Sequence, residues 1–364
     1  MLPPVALRSL PALAMVAALA LAPSTARAEE SPAPAPAPSR ARRALAVGAA
    51  LVPGVIVRGA GHWVAHDRRT AKRLLVLEGV GLGLAAAGGL PLGVSGGAGE
   101  TLPGLVLLLP GAGLLFTTIA ADAWGAAGGA CLAGTPAPPS ALDVALGYTF
   151  VGDPRVPFAN LATADAVLRH GRATSGASGW FGDGTWRVRG ALGARLRGPR
   201  PGQHLPDISA LDVEVSAAEE RRADQGLRVA TVEAGALARV DLARIGPSLR
   251  GTFATLGMGV GGERIRYTAT AAADTSSLFT AHLGWGFVLG DGRARALEAE
   301  LYYEHRRDTL AGGLTPPTSA NGFVGYVGAA ATAWRDRWGV SARVEVGSAY
   351  VLSFAARVRL PEMP

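Results

Sequence analysis

Apolar and polar residues alternate strictly through the last third of the chain. Leu297, Ala299, Leu301 and Tyr303 fall on one side of an extended segment, with Glu298, Glu300, Tyr302 and Glu304 on the other. Val340, Ala342, Val344 and Val346 alternate with Ser341, Arg343 and Glu345, and Leu352, Phe354, Ala356, Val358 and Leu360 with Ser353, Arg357 and Arg359. Period two predicts strands with one face in an apolar medium. The pattern begins at Leu142, Val144, Leu146, Tyr148 and Phe150, and continues in Trp186, Val188, Leu192, Ala194 and Leu196 against Arg187, Arg189, Arg195 and Arg197. Leu211, Val213 and Val215 alternate with Asp212 and Glu214, while the runs 227–241, 249–267 and 278–289 are less regular and rich in glycine.

Residues 42–134 have a different pattern: apolar, Gly/Ala-rich and without period two. Leu74–Leu90 and Leu102–Ala121 are each close to the length of a bilayer-spanning helix. Gly79, Gly83 and Ala87, and likewise Gly81, Ala85 and Gly89, recur every four residues, the small-xxx-small spacing that lets helices approach closely. Leucines that favour insertion by about 0.3–0.6 kcal/mol each are opposed by Glu78, Pro103 and Pro110, so insertion into the inner membrane is marginal. The basic patch Arg68, Arg69, Lys72 and Arg73 also conflicts with a periplasmic base under the positive-inside rule. The hairpin is therefore expected to pass to the periplasm and pack against the strand region or the inner leaflet of the outer membrane.

Two breaks set the domain boundaries. Residues 1–28 read as a signal peptide, with Arg8, an apolar core from Leu10 to Ala22 and the small-x-small site Ala26-Arg27-Ala28. A Pro/Ala-rich tether (29–41) precedes the apolar helical module (42–134), and a Pro-rich linker (135–141) precedes the strand region (142–364).

Val52-Pro53-Gly54 followed by Gly59-Ala60-Gly61-His62-Trp63 resembles the entry of small two-helix membrane modules of the TM2-like kind, with Trp63 where those carry Tyr. The resemblance implies a hairpin packed on itself and no chemistry. The strand region resembles an outer-membrane β-barrel, in which the strand number is even, turns on the periplasmic side are short and loops outside are long. Reading 249–267 as one strand gives about ten strands and puts both ends on one side. The expected fold is mainly β, an antiparallel up-and-down β-barrel preceded by an apolar helical hairpin. Gly290-Asp291-Gly292 and Arg335-Asp336-Arg337 become periplasmic turns, the latter flanked by Trp334 and Trp338 in an aromatic girdle; 153–184 and 307–320 become outer loops; and 198–209 is long for a turn. The charged faces then line the lumen, where Arg187, Arg189, Arg195, Arg197, Arg343, Arg357 and Arg359 are expected to pair with Asp212, Glu214, Glu298, Glu300, Glu304 and Glu345. Such a lumen leaves a narrow path or room for one small ligand.

Net charge is +7, carried almost wholly by arginine, since Lys72 is the only lysine. No basic cluster is interleaved with aromatics, so nucleic acid is not an expected partner; membrane lipid is. A lone Cys131 excludes an internal disulfide and is expected as a small buried apolar residue. His62 and His66 have ligand-like spacing but no third ligand nearby, so no metal or other cofactor is expected. Gly257-Met258-Gly259-Val260-Gly261-Gly262 fits the dinucleotide fingerprint, but an alternating run follows it where a helix is required; its glycines are expected to permit a bulge or bend. His305 beside Glu304 suggests a hydrolase site without a Gly-x-Ser-x-Gly elbow. The expected function is that of an exported outer-membrane barrel with a structural or narrow-passage role and no enzymatic activity. The alternatives are a periplasmic β-domain anchored by the hairpin and serving binding or assembly, and an outer-membrane lipid hydrolase.

Overall fold

The computed structural model describes residues 39–94, 101–134, 139–153, 156–203, 207–223, 226–268, 270, 272–290, 295–306, 309 and 325–360. The signal peptide, most of the tether and most of 307–320 lie outside these residues, as do 135–138 of the linker.

Twelve strands close into one antiparallel barrel, each paired with its neighbours in chain order. They are β1 (Leu142–Asp153), β2 (Val156–His170), β3 (Ala173–Gly182), β4 (Thr185–Arg197), β5 (Ala210–Arg222), β6 (Leu227–Asp241), β7 (Thr252–Tyr267), β8 (Ala273–Gly290), β9 (Arg295–His305), β10 (Tyr326–Arg335), β11 (Trp338–Val346) and β12 (Tyr350–Leu360). β1 pairs with β12 from Leu142↔Leu360 to Gly152↔Tyr350, so no edge is left open. The count exceeds the expected ten because 156–182, read as an outer loop, forms β2 and β3. Their faces carry almost no hydropathy contrast: Ala162, Ala164 and Ala166 face outward with Ala177 and Gly179, while Thr163, Gly176 and Ser178 face inward. The parity argument survives, because 252–267 is one strand and both ends of the barrel lie at the same, near end.

Outward positions in the middle of the strands are mainly apolar, and those not covered by the helices are open to the surroundings: Leu192 is 69% exposed, Val340 62% and Phe354 51%. Trp338 joins them at the near end, but Trp334 faces the lumen, where Arg357 and Arg359 lie over its ring. Trp334 is opposite Gly339, an inward position whose missing Cβ admits the indole. Asp336, with φ of 54°, and Arg337 make the expected tight turn between β10 and β11. The glycines of 257–262 produce no bulge, since β7 pairs with β6 and β8 in unbroken register. They make room instead: a Cβ on Gly259 would meet Thr280 and Glu233 across the strands.

The helical module comprises α1 (Arg40–Leu51), the short α2 (Ala60–Val64), α3 (Arg68–Val94) and α4 (Thr101–Ala126). The last two are long and apolar enough to cross a membrane. They pack as a hairpin through Gly81, Ala85 and Gly88 against Gly104, Leu108 and Gly111; a Cβ on Gly111 would strike the backbone of Ala85. Gly79 and Gly83 lie outside this seam, with open space where a side chain would stand. At 100° per residue a stripe two positions away points to the far side of the helix.

The hairpin rests on the outside of the barrel. Leu105 and Leu109 of α4 pack on outward Phe279, Ala281 and Leu283, and a Cβ on Gly113 would press on Leu283. Lower down, Ala121 and Trp124 meet Trp285, Phe287 and Leu249. The long near-end connection 242–251 is explained by this docking: Arg73 donates to the Ile245 carbonyl at 2.5 Å, and Ser248 donates to Asp67 at 2.7 Å. Cys131 is exposed, contrary to expectation, because the turn Gly129–Cys131 gives its close contact with Trp124 to Gly129.

Candidate functional site

Period two carries every other side chain of each strand into the lumen. On β4 and β5, Arg195 forks onto Asp212 through Nε and Nη2 at 2.8 and 2.9 Å, the two residues standing directly opposite in register. Arg187 reaches Glu220 at 3.6 Å, and Arg189 bonds Glu214. Arg357 forks onto Asp143 at 3.3 and 3.1 Å across the β1–β12 closure. Arg359 is held by the Asp336 carbonyl at 2.9 Å, and Arg343 lies 3.7 Å from Glu345. Arg197 departs from the expected set. A register shift after Arg195 brings it opposite Leu211, a position on the outward face of β5, so the alternation fails at the strand end.

Some of the remaining expected carboxylates reach past the neighbouring strand, and others pair with it. Glu298 on β9 accepts from Arg239 on β6 at 2.8 Å, over the Phe253 ring, which lies 3.5 Å below the guanidinium. That reach over β7 and β8 is possible because Gly286 leaves space for Phe253. Glu300 contacts His282 at 3.1 Å and accepts from Thr255. Glu304 accepts from Tyr326 at 2.8 Å and Arg306 at 3.4 Å, and Arg306 continues to Glu233 at 3.1 Å. Tyr302 donates to Glu345 at 2.7 Å.

Asp143, Arg169, Glu220, Glu233, Arg239, His282 and Arg306 belong to the same lumen and escaped the sequence reading. Glu233 and Arg239 do sit at odd positions in 227–241, but alanines and a glycine on the intervening positions hide the alternation. Asp143 and Arg169 sit at strand ends, and Arg306 follows the end of β9.

Two cavities occupy this interior. One, of about 280 Å³ toward the near end, is lined by Asp143, Arg169, Arg195, Arg239, Glu298, Trp334, Arg357 and Arg359. The other, of about 360 Å³, is lined among others by Arg169, Arg195, Asp212, Glu233, His282, Glu304 and Arg306. Toward the far end, Val151, Leu161, Tyr302, Tyr326 and Val351 form a buried apolar cluster inside the wall, with Trp180 against it. Around these spaces the interior is largely filled by side chains.

The other candidate residues separate. His62 is buried against Asp122 while His66 turns away with φ of 67°, so the pair shares no ligand position, and no metal-binding cluster occurs among the described residues. His305 lies on the outer wall against Phe279 and Tyr303, whereas Glu304 points inward, so the two neighbours are on opposite faces.

A closed antiparallel barrel with an apolar wall and a charged lumen has the architecture of an outer-membrane β-barrel, as the strands of the last third suggested. No protein-family profile matches the chain, and no curated protein sequence matches it significantly. Among solved structures it is similar to the translocator domain of the autotransporter NalP from Neisseria meningitidis, at 14% identity over 62% of this chain and 89% of that one, TM-score 0.37. It is also similar to the KdgM porin, at 6% identity over 59% and 99% of the two chains, TM-score 0.36. A third likeness is to the β domain of the Bordetella autotransporter BrkA, at 14% identity over 61% and 98%, TM-score 0.34.

Proposed function

We propose that the protein is an outer-membrane β-barrel with its ends in the periplasm, a helical hairpin embedded beside its wall, and a lumen serving as a structural or narrow-passage element. The observation that carries this reading is the direction of the polarity. In a soluble closed barrel the apolar faces fill the interior and the charges meet water. Here Leu192, Val340 and Phe354 face out while Arg195–Asp212, Arg239–Glu298 and Arg357–Asp143 are paired inside. A continuous apolar wall of this kind is stable only against lipid or another apolar surface. That argues against the periplasmic β-domain.

The hairpin fits the same medium. α4 runs beside β8 with α3 packed on it, and the basic residues Arg68, Arg69, Lys72 and Arg73 lie at the periplasmic base of α3. Side-chain filling and the apolar cluster at the far end favour a narrow path over general diffusion. Catalysis has no part in this reading, because His305 and Glu304 point to opposite sides of the wall.

The test is fractionation followed by gel migration with and without heating in detergent. The barrel reading expects the protein in the outer-membrane fraction, resistant to salt extraction and shifting in mobility on boiling. Release by salt alone, with no heat-dependent shift, sinks it. Conductance of the purified protein in planar bilayers then separates passage from a purely structural role.

A further inference from the structure

The two lumenal cavities differ in charge. The near cavity is lined by five guanidiniums, from Arg169, Arg195, Arg239, Arg357 and Arg359, and by two carboxylates, Asp143 and Glu298. Both carboxylates are taken, Asp143 by the fork of Arg357 and Glu298 by Arg239. Arg195 is forked on Asp212. Arg169 and Arg359 are held instead by carbonyl oxygens, Ser140 at 3.4 Å and Asp336 at 2.9 Å, with the Trp334 ring 4.6 Å from Arg359. Asp165, two inward positions up β2 from Arg169, lines neither cavity. The second cavity sets Arg169, Arg195, Arg306 and His282 against four carboxylates, so the excess of cation is confined to the near end. Arg169 and Arg195 line both spaces and stand where one gives way to the other.

A guanidinium that has no carboxylate within hydrogen-bond reach, in a confined space, attracts an anion more strongly than it does in bulk water. The planar fork of arginine matches the oxygens of carboxylate and phosphate, and rings of Arg line anion and phosphate pores. We propose that the near cavity is a binding site for one small oxyanion of the phosphate or short-carboxylate class, with Arg169 and Arg359 as its ligands. This deepens the passage reading and shares with it the requirement that the lumen be reached from the periplasm. The site takes a free anion, because the closed wall separates it from lipid headgroups.

The experiment is calorimetric titration of inorganic phosphate into the folded full-length protein in detergent at low ionic strength. Saturable binding is expected, weakened roughly tenfold or more by Arg169→Gln and by Arg359→Gln, the loss of a charge-assisted hydrogen bond. Arg264→Gln, on the outer wall at the far end, leaves it unchanged. Heat-dependent gel migration establishes that each variant retains a closed barrel, and Arg359→Gln carries the test if Arg169→Gln does not fold. No saturable binding in the natural protein overturns the site, as does equal binding in both variants. Bilayer conductance without phosphate binding keeps the passage and overturns the site; phosphate binding without conductance supports the site and sinks the passage.

Discussion

The barrel and the helical module both turn apolar side chains outward and polar ones inward, but they hold their polar interiors in opposite ways. In the barrel the charges form many separate pairs, most of them partly open to the lumen: the side chains of Arg189 and Glu214 are 32% and 44% exposed. In the module one fully buried carboxylate, Asp122 on α4, accepts from the backbone N–H groups of Gly59 at 3.1 Å, Gly61 at 3.2 Å and His62 at 3.1 Å, and meets His62 Nδ1 at 2.5 Å. Gly59, at φ of 83°, and Gly61 let the chain wrap this closely, and Gly125 leaves the space His62 fills. The Gly-x-Gly-His stretch is thus a cradle for a carboxylate of the same chain. A closed ladder satisfies every strand internally, so lumenal side chains are free to serve a ligand. The helices of the module lack that closure, and a few buried polar residues fasten them: Asp122, and Glu78, which accepts from the Arg58 N–H at 3.1 Å.

The strongest way to break the comparison is Asp122→Ala. It orphans three buried N–H groups and the buried His62 ring at once, and is expected to cost the module on the order of 3 kcal/mol or more. Limited trypsin digestion should then cut at Arg58 or in the Arg68–Arg73 patch while heat-dependent migration of the barrel persists. Unchanged protection of these sites would show that the cradle does not fasten the module.

A much smaller effect is expected in the barrel. Arg189→Gln removes one half-open pair among many and is expected to change barrel stability by no more than about 1 kcal/mol. The reading is the midpoint of thermal or denaturant unfolding in detergent. A loss as large as that from Asp122→Ala would mean the lumenal pairs act as one network, and the contrast would fall.

The same difference governs what was legible in the sequence. Strands β9, β11 and β12 were readable because bulky outward residues such as Leu301, Val340 and Phe354 alternate with Glu300, Arg343 and Arg357. β2 and β3 were not, because alanine, glycine, serine and threonine occupy both faces and the pairing partners supply the contrast. Many of the lumenal charges were found by parity, but not their partners, since Arg239–Glu298 and Arg306–Glu233 join strands that are not neighbours. In the module, spacing identified small residues without telling which stripe forms the seam. Only the facing helix selects Gly81, Ala85 and Gly88 over Gly79 and Gly83. The carboxylate that fills the Gly-x-Gly cradle lies sixty residues away from His62, beyond any local pattern.

The smallest expected effect lies where the two regions meet. Asp67 precedes α3 at its base, and its carboxylate accepts from Ser248 in the β6–β7 connection at 2.7 Å and from the Thr70 N–H at 3.1 Å. Burial opposes its ionisation, but the hydrogen bonds from Ser248 and Thr70 outweigh burial and hold its pKa below the ordinary value. A carboxylate lowered in the folded state contributes stability that is present above its unfolded pKa, about 3.9 for Asp, and is lost as pH falls through the folded value. Docking of the module is therefore intact at neutral pH and loosens only in acid, and modestly, because the apolar contact of Leu74, Ala121, Leu242 and Leu249 remains. Amide hydrogen exchange over 242–251 should show a loss of protection below about pH 4 that is reduced in Asp67→Asn. Some acid sensitivity will persist in that variant through Asp207, which is also held low: burial opposes its charge, and hydrogen bonds from Arg244 and Ser209 prevail. Identical acid profiles in the natural protein and Asp67→Asn would remove Asp67 as the pH-sensitive link, and would leave the apolar contact alone holding module to barrel.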